Sequence, residues 1–249
     1  MRRLAPFALA AVLITGCGGG KHAGTTTNDF PPAPTPVPTT TTSGDPGKDA
    51  VDAFTAAAHA GRADEMWSML STASKKRLGP TLAAFRARGA TRLAEQVGSF
   101  GRYKVIVSER VTPEFGVVAI DGPRLVEGKR VRDVYAAALR LEGEQWKLEL
   151  GGPVSVRAVG PDPGAHERVV AQIAAAVSGK GGGGTAVVYV DGLTESPKVY
   201  GTPSNSTLVV NYEPALDRGR HTVVVFGSVG RDAAATGWWF TAARGPKSP

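Results

Sequence analysis

Between residues 48 and 97, apolar side chains recur at intervals of three and four residues, which is the spacing of a helix with one buried face. They fall into three groups: Val51, Phe54 and Ala58; Met66, Trp67, Met69 and Leu70; Leu82, Phe85, Leu93 and Val97. Gly61 separates the first two groups, and Gly89 leaves the third as one helix or two pieces. The pattern predicts three helices.

After Gly98 the pattern changes to alternation of apolar and polar residues, which is typical of half-buried strands. Tyr103, Val105 and Val107 share one face of the first run. Later runs cover residues 115–120, 130–141 and 145–150. Glu142, Gly143 and Glu144 separate the last two runs, so they predict a hairpin turn. About four antiparallel strands are expected.

From Pro153 onward only strands and turns are predicted. Seven short runs follow one another: residues 154–159, 168–177, 185–190, 198–200, 207–212, 221–227 and 237–242. Their spacing fits a β-sandwich. The alanines at 174–176 leave the second run open to a short helix.

Two family resemblances follow from these segments. Three helices, four strands and the closing Trp146-Lys-Leu pattern resemble an NTF2-like, or cystatin-like, domain over about 100 residues. The segments VVYVDG at 187–192, Thr207–Gly227 and WWFTA at 238–242 resemble a bacterial immunoglobulin-like domain. The resemblances imply an α+β cone, with three helices packed on a curved antiparallel sheet, followed by an all-β immunoglobulin-like sandwich. NTF2-like proteins include isomerases, dehydratases and noncatalytic lipoprotein domains, so fold alone does not decide function.

The first seventeen residues predict secretion and lipidation. Arg2 and Arg3 precede an apolar run at 4–14 that is too short to span a bilayer. The four residues Ile14, Thr15, Gly16 and Cys17 then resemble a bacterial lipobox, whose cysteine receives a diacylglycerol group before cleavage. This resemblance implies a protein held by lipid at the outer face of the bacterial cytoplasmic membrane. The alternative is an ordinary cleaved signal peptide.

Residues 18–47 are rich in Thr, Pro and Gly and predict a disordered tether. In a polyproline-like conformation, at about 3.1 Å per residue, the tether would reach on the order of 90 Å. The predicted organisation is a signal peptide at 1–16, a lipidated cysteine and tether at 17–47, an NTF2-like domain at 48–152 and an immunoglobulin-like sandwich at 153–249.

The formal net charge is +7, and removal of Arg2 and Arg3 lowers it by two. Ten of the remaining cations form three groups: Lys75, Lys76 and Arg77; Arg86, Arg88 and Arg92; Arg124, Lys129, Arg130 and Arg132. Such groups favour contact with anionic lipid or a cell-wall polymer. The alternative is a solvated surface. A nucleic-acid partner is not expected, since the predicted location is extracytoplasmic and no aromatic-basic RNA motif is present.

Candidate chemistry is confined to the predicted cone. The resemblance implies a cavity there, and its expected lining is Phe54, His59, Trp67, Phe85, Tyr103 and Tyr135. No His–Asp pair or Gly-x-Ser-x-Gly motif supports catalysis, and the four His residues are isolated. Gly181–Gly184 lacks the following Lys-Ser or Lys-Thr of a phosphate loop. We therefore expect no metal, no cofactor and no catalytic residues.

The sequence predicts a noncatalytic envelope lipoprotein that acts as a binding or scaffolding module, with a wall polymer or an envelope protein as partner. A homodimer through the sheet of the cone is left open. Two alternatives remain: a carrier of a small apolar ligand in the cone, and an isomerase- or dehydratase-like enzyme using the same cavity.

Overall fold

The computed structural model describes residues 45–168, 170–181, 184–200 and 207–243. Strands hold 49% and helices 23% of these residues. The described residues all belong to one compact unit, residues 41–249. The predicted signal peptide, the lipobox and nearly all of the predicted tether lie outside them.

Five short helices come first: α1 (Pro46–His59), α2 (Ala63–Ser68), α3 (Thr72–Leu78), α4 (Leu82–Arg88) and α5 (Ala90–Gly98). Three begin at a capping side chain, because Asp45, Ser71 and Thr81 each accept a hydrogen bond from a backbone N–H of the first turn. Gly79 and Gly89 end α3 and α4. None of the helices in these ranges has the length and apolar character needed to cross a bilayer.

Sheet A contains four antiparallel strands in the order β1-β2-β3-β4: β1 (Lys104–Arg110), β2 (Phe115–Val126), β3 (Lys129–Glu142) and β4 (Gln145–Glu149). The helices pack on one face of this sheet. Val118, Ile120 and Leu139 of the sheet meet Phe54 and Phe85 of the helices in a buried cluster. This cluster is the first of three hydrophobic cores.

Nine further strands form two more sheets. Sheet B has the order β10-β11-β7-β5, with β5 (Ser155–Gly160), β7 (Ile173–Ser178), β10 (Lys198–Tyr200) and β11 (Thr207–Tyr212). Sheet C has the order β6-β13-β12-β8-β9, with β6 (His166–Glu167), β8 (Gly184–Val190), β9 (Leu193–Glu195), β12 (Gly219–Val229) and β13 (Asp232–Ala242). The second core, which includes Val177, Val225 and Phe240, lies between sheets B and C.

The third core joins sheet C to the face of sheet A that the helices leave free. Val117 and Val134 of sheet A pack there with Tyr189 and Phe226 of sheet C. The approach is close, because a Cβ atom at Gly237 would lie 2.5 Å from Cγ1 of Val134. The layers therefore run from the helices through sheet A and sheet C to sheet B.

The predicted fold class, an NTF2-like cone plus a separate immunoglobulin-like sandwich, is wrong. Five helices form instead of three, and the strands make three sheets that share cores. The physical reason is that both faces of sheet A are apolar, so each face needs a covering layer. Sheet C covers the face that the cone prediction left free for a dimer partner.

Candidate functional site

Two residues predicted to line a cavity instead fill the core between the helices and sheet A. The side chains of Phe54 and Phe85 are completely buried there. Trp67 lies at the edge of this core, where its Nε1 donates to the carbonyl of Gly79 at 3.0 Å. This packing favours a ligand site at the surface over one in the interior.

His59 and Tyr103 lie apart from one another. His59 ends α1, exposed, and its Nδ1 lies 3.0 Å from the carbonyl oxygen of Gly98. Tyr103 donates its hydroxyl to Oδ1 of Asp52 at 2.8 Å, and Asp52 also pairs with Lys48. Burial, and then the hydrogen bond to Asp52, raise the pKa of Tyr103 to about 12. This phenol therefore keeps its proton at neutral pH, which does not suit it to act as a base.

Tyr135, the remaining predicted cavity residue, lies on β3 facing the helices. Burial raises its pKa, so the hydroxyl stays protonated. The hydroxyl has no hydrogen-bond partner among the described residues. Leaving a buried hydroxyl unpaired costs about 1–3 kcal/mol. The other four predicted site residues, Ile14, Thr15, Gly16 and Cys17, lie outside the described residues.

A crevice of about 400 Å³ opens beside Tyr135, where helices α3 to α5, β3 and β13 meet. It exists because β4 pairs only with residues 138–142 of β3 and leaves the edge at Tyr135 and Ala136 uncovered. Its lining consists of three arginines, one glutamine and mainly apolar or small residues: Arg77, Leu78, Arg88, Gly89, Arg92, Leu93, Gln96, Tyr135, Ala136, Leu150, Gly151 and Ala235. We call this feature the arginine crevice.

Two of the three arginines carry uncompensated charge. Arg88 and Arg92 are exposed, and neither makes an ion pair or a side-chain hydrogen bond among the described residues. Arg88 ends α4 and Arg92 lies in the first turn of α5. The helix break at Gly89 lies between these two residues, and both guanidinium groups line one opening.

Arg77, by contrast, belongs to a structural network around Glu149. Arg77 Nη1 donates to Glu149 at 2.8 Å, and its other amino group pairs with Asp232. Arg140 and Ser71 donate to the same buried carboxylate at 2.8 and 2.6 Å. Burial alone would raise the pKa of Glu149, but the hydrogen bonds from Arg140, Ser71 and Arg77 lower it. The Glu149 carboxylate therefore has a structural role, because it fixes Arg77 in the wall of the crevice.

A second buried carboxylate joins sheets A and C. Asp121 accepts hydrogen bonds from Arg132 at 2.7 Å and from Arg220 at 2.8 Å. Burial would raise the pKa of Asp121, yet the bonds from Arg220 and Arg132 lower it. Arg220 also lies over the ring of Trp239, 5.1 Å from its centroid. These contacts fix the stacking of the sheets and leave no free carboxylate oxygen for catalysis.

The one close His–Asp pair in the described part of the chain is also structural. Nδ1 of His221 lies 2.7 Å from Oδ2 of Asp191, and Nε2 lies 2.8 Å from the carbonyl oxygen of Asp217. Both ring nitrogens are occupied, so the imidazole has no free position for a substrate or metal. Among the described residues no group of three or more His, Cys, Asp or Glu side chains is placed to hold a metal ion.

The chemistry of the arginine crevice suits an anion with an apolar body. Guanidinium groups bind carboxylate, sulfonate and phosphate oxygens, and the side chains of Leu93 and Leu150 offer apolar contact. In the sequence, Arg88 and Arg92 belong to a predicted basic group, but no local pattern predicts a crevice. The missing information was the approach of β13 to β3, which brings Ala235 to the opening.

Comparison with known proteins adds no family assignment: no protein-family model matches the chain, and no curated protein matches it.

Proposed function

We propose that this chain is a noncatalytic binding protein of the bacterial envelope, held at the outer face of the cytoplasmic membrane by lipid on Cys17, and that the arginine crevice is its ligand site. The proposal rests on the guanidinium groups of Arg88 and Arg92, which lie at the opening of an apolar-lined crevice and have no ionic partner among the described residues. The ligand class is a small organic anion with an apolar body.

The location proposal rests on the lipobox resemblance at Ile14, Thr15, Gly16 and Cys17, together with the predicted tether. Two acyl chains hold a protein on a bilayer stably, so no membrane-spanning helix is required. A ligand site on a tethered body would meet molecules at the membrane surface or in the wall. A wall polymer, an envelope protein or a second copy of the chain remain proposed partners for other surfaces.

Replacing Cys17 by serine tests the anchor. Cys17→Ser is expected to abolish metabolic labelling with a clickable fatty acid and to release the chain from the membrane fraction or leave its precursor uncleaved, because a serine hydroxyl is not alkylated by the lipid donor. Gel fluorescence and fractionation measure both effects. As a matched control, Cys17→Ser combined with Ser43→Cys restores a thiol outside the lipobox and should also remain unlabelled. Undiminished labelling of Cys17→Ser would rule out this anchor.

A second prediction tests the crevice with a defined probe. The lipid-free chain that begins at Gly18 is titrated with 1-anilinonaphthalene-8-sulfonate, an aromatic anion whose fluorescence rises on binding. We expect one site per chain, and we expect Arg88→Gln combined with Arg92→Gln to weaken binding about tenfold or more, since two charge-assisted hydrogen bonds to the sulfonate are lost.

The matched control is Arg86→Gln, which removes an exposed arginine from the same helix but from outside the crevice lining. It should change the dissociation constant by less than about twofold, because only long-range attraction is altered. Equal weakening by Arg86→Gln would show that overall charge, not the crevice, controls binding. Circular dichroism confirms that each variant keeps its fold.

A further inference from the structure

The outer end of the β2–β3 hairpin, residues 123–132, extends beyond its neighbouring strands. The pairing of β1 with β2 stops at Asp121, and that of β4 with β3 involves only residues 138–142. Of the six large apolar side chains that are exposed among the described residues, three lie here: Leu125 at 56%, Val126 at 36% and Val131 at 39%. We call residues 123–132 the hairpin tip.

Unpaired cations stand directly across from the apolar side chains of the hairpin tip. Lys129 lies opposite Val126, and Arg130 lies opposite Leu125. Neither cation makes an ion pair or a side-chain hydrogen bond among the described residues, whereas Arg124 and Arg132 pair with Asp133 and Asp121. The single acid within the tip is Glu127. Each of these two cations therefore lies opposite an exposed apolar side chain of the neighbouring strand.

The hairpin tip is held in place at its base. Leu125 donates its N–H to the carbonyl of Ser99 at 3.1 Å, and Gly101 donates to the carbonyl of Pro123 at 3.2 Å. The loop after α5 therefore supports the tip, and its side chains are presented without a large ordering cost on binding.

We propose that the hairpin tip docks on an anionic lipid bilayer, with Leu125, Val126 and Val131 entering the headgroup boundary while Lys129 and Arg130 bind lipid phosphates. Apolar side chains gain by leaving water for the acyl boundary, and cations beside them gain from the negative surface potential. An anionic polymer would use the two cations but would leave the three apolar side chains in water. The combination therefore favours a bilayer over a polymer.

The identity of the bilayer in this proposal rests on the membrane location given under the proposed function. If the chain is anchored through Cys17, the tip would orient it on the membrane to which it is already tethered. The contact itself does not need the anchor, so the two can fail separately.

The test uses the full chain with Cys17→Ser, which removes the natural thiol, and a single new cysteine at Val126→Cys labelled with bimane. Vesicles are either pure phosphatidylcholine or an equal mixture with phosphatidylglycerol. We expect the emission to move to shorter wavelength on the mixed vesicles and to stay unchanged on the neutral ones. Bimane at Leu193→Cys, a residue that is 68% exposed in β9, is the matched control and should not respond.

Lys129→Gln combined with Arg130→Gln should weaken the response about 30-fold in lipid concentration, as expected for the loss of two cations near an anionic surface. If residues 1–16 alone carry the chain to vesicles, the label at 126 stays in water, and that result would overturn the proposal without touching the anchor. A spectral shift of equal size with polyglutamate, or on neutral vesicles, would overturn it as well. Equal responses at 126 and 193 would do the same.

Discussion

Phe226→Ala is expected to lower the free energy of unfolding by about 3–5 kcal/mol, the usual cost of deleting a large buried aromatic side chain. Phe226 is fully buried in the core between sheets A and C, and its ring centroid lies 6.4 Å from that of Phe115. Urea denaturation measures the change. Because this core joins the two sheets, the substitution should destabilise both sheet A and sheet C.

Hydrogen exchange read by mass spectrometry measures the protection of sheet A and of sheet C separately. Peptides covering β3 in sheet A and β12 in sheet C should lose protection together in Phe226→Ala. The matched control is Val159→Ala, whose side chain is 49% exposed in β5 and should change stability by less than about 0.5 kcal/mol. Protection lost in β12 alone would contradict a core shared with sheet A.

Glu149→Gln should destabilise the fold by about 3 kcal/mol or more. The side chain of Glu149 is completely buried and accepts hydrogen bonds from Ser71, Arg77 and Arg140. The amide keeps the shape but removes the negative charge, so the partly buried guanidinium of Arg140 loses its ion pair. Breaking a buried pair on one side is costly because a charge is left uncompensated. Glu144→Gln, in an exposed turn, is the control and should be near neutral.

The same variant has a defined pH signature. The pKa of Glu149 is lower in the folded protein than its ordinary value of 4.5, because the hydrogen bonds from Arg140, Ser71 and Arg77 outweigh burial. Its contribution is therefore fully present above pH 4.5 and is lost as the pH falls through the folded-state pKa. Below pH 4.5 the wild type should lose stability more steeply than Glu149→Gln. Parallel curves would contradict this role.

Local patterns predicted one strand pair, the hairpin of β3 and β4, because turn chemistry and alternation act over a few residues. In the turn before Gln145, Gly143 has a φ of 63°, which glycine adopts without strain. The packing of sheet C on sheet A was not predicted from the sequence. Residues 115–120 and 134–139 are apolar or glycine at almost every position, a pattern typical of strands buried on both faces. That signal predicts a second layer on sheet A but does not say which segment supplies it.

For the helices and the site, too, local features could be predicted from the sequence, whereas contacts between distant segments could not. Gly89 was recognised as a break that leaves one helix or two, and the two pieces α4 and α5 place Arg88 and Arg92 at one opening. The opening itself depends on β13, more than 130 residues later in the chain, for which local spacing gives no distance. Candidate cations were therefore predictable, whereas the crevice that unites them was not.

The most direct test of the proposed binding site is an amide correlation spectrum of the lipid-free chain titrated with 1-anilinonaphthalene-8-sulfonate. We expect chemical-shift changes concentrated at the arginine crevice, with Arg92, Leu93, Ala136 and Gly151 among the largest, and we expect these changes to be lost in Arg88→Gln combined with Arg92→Gln. Changes centred elsewhere, or unaltered in that variant, would contradict it.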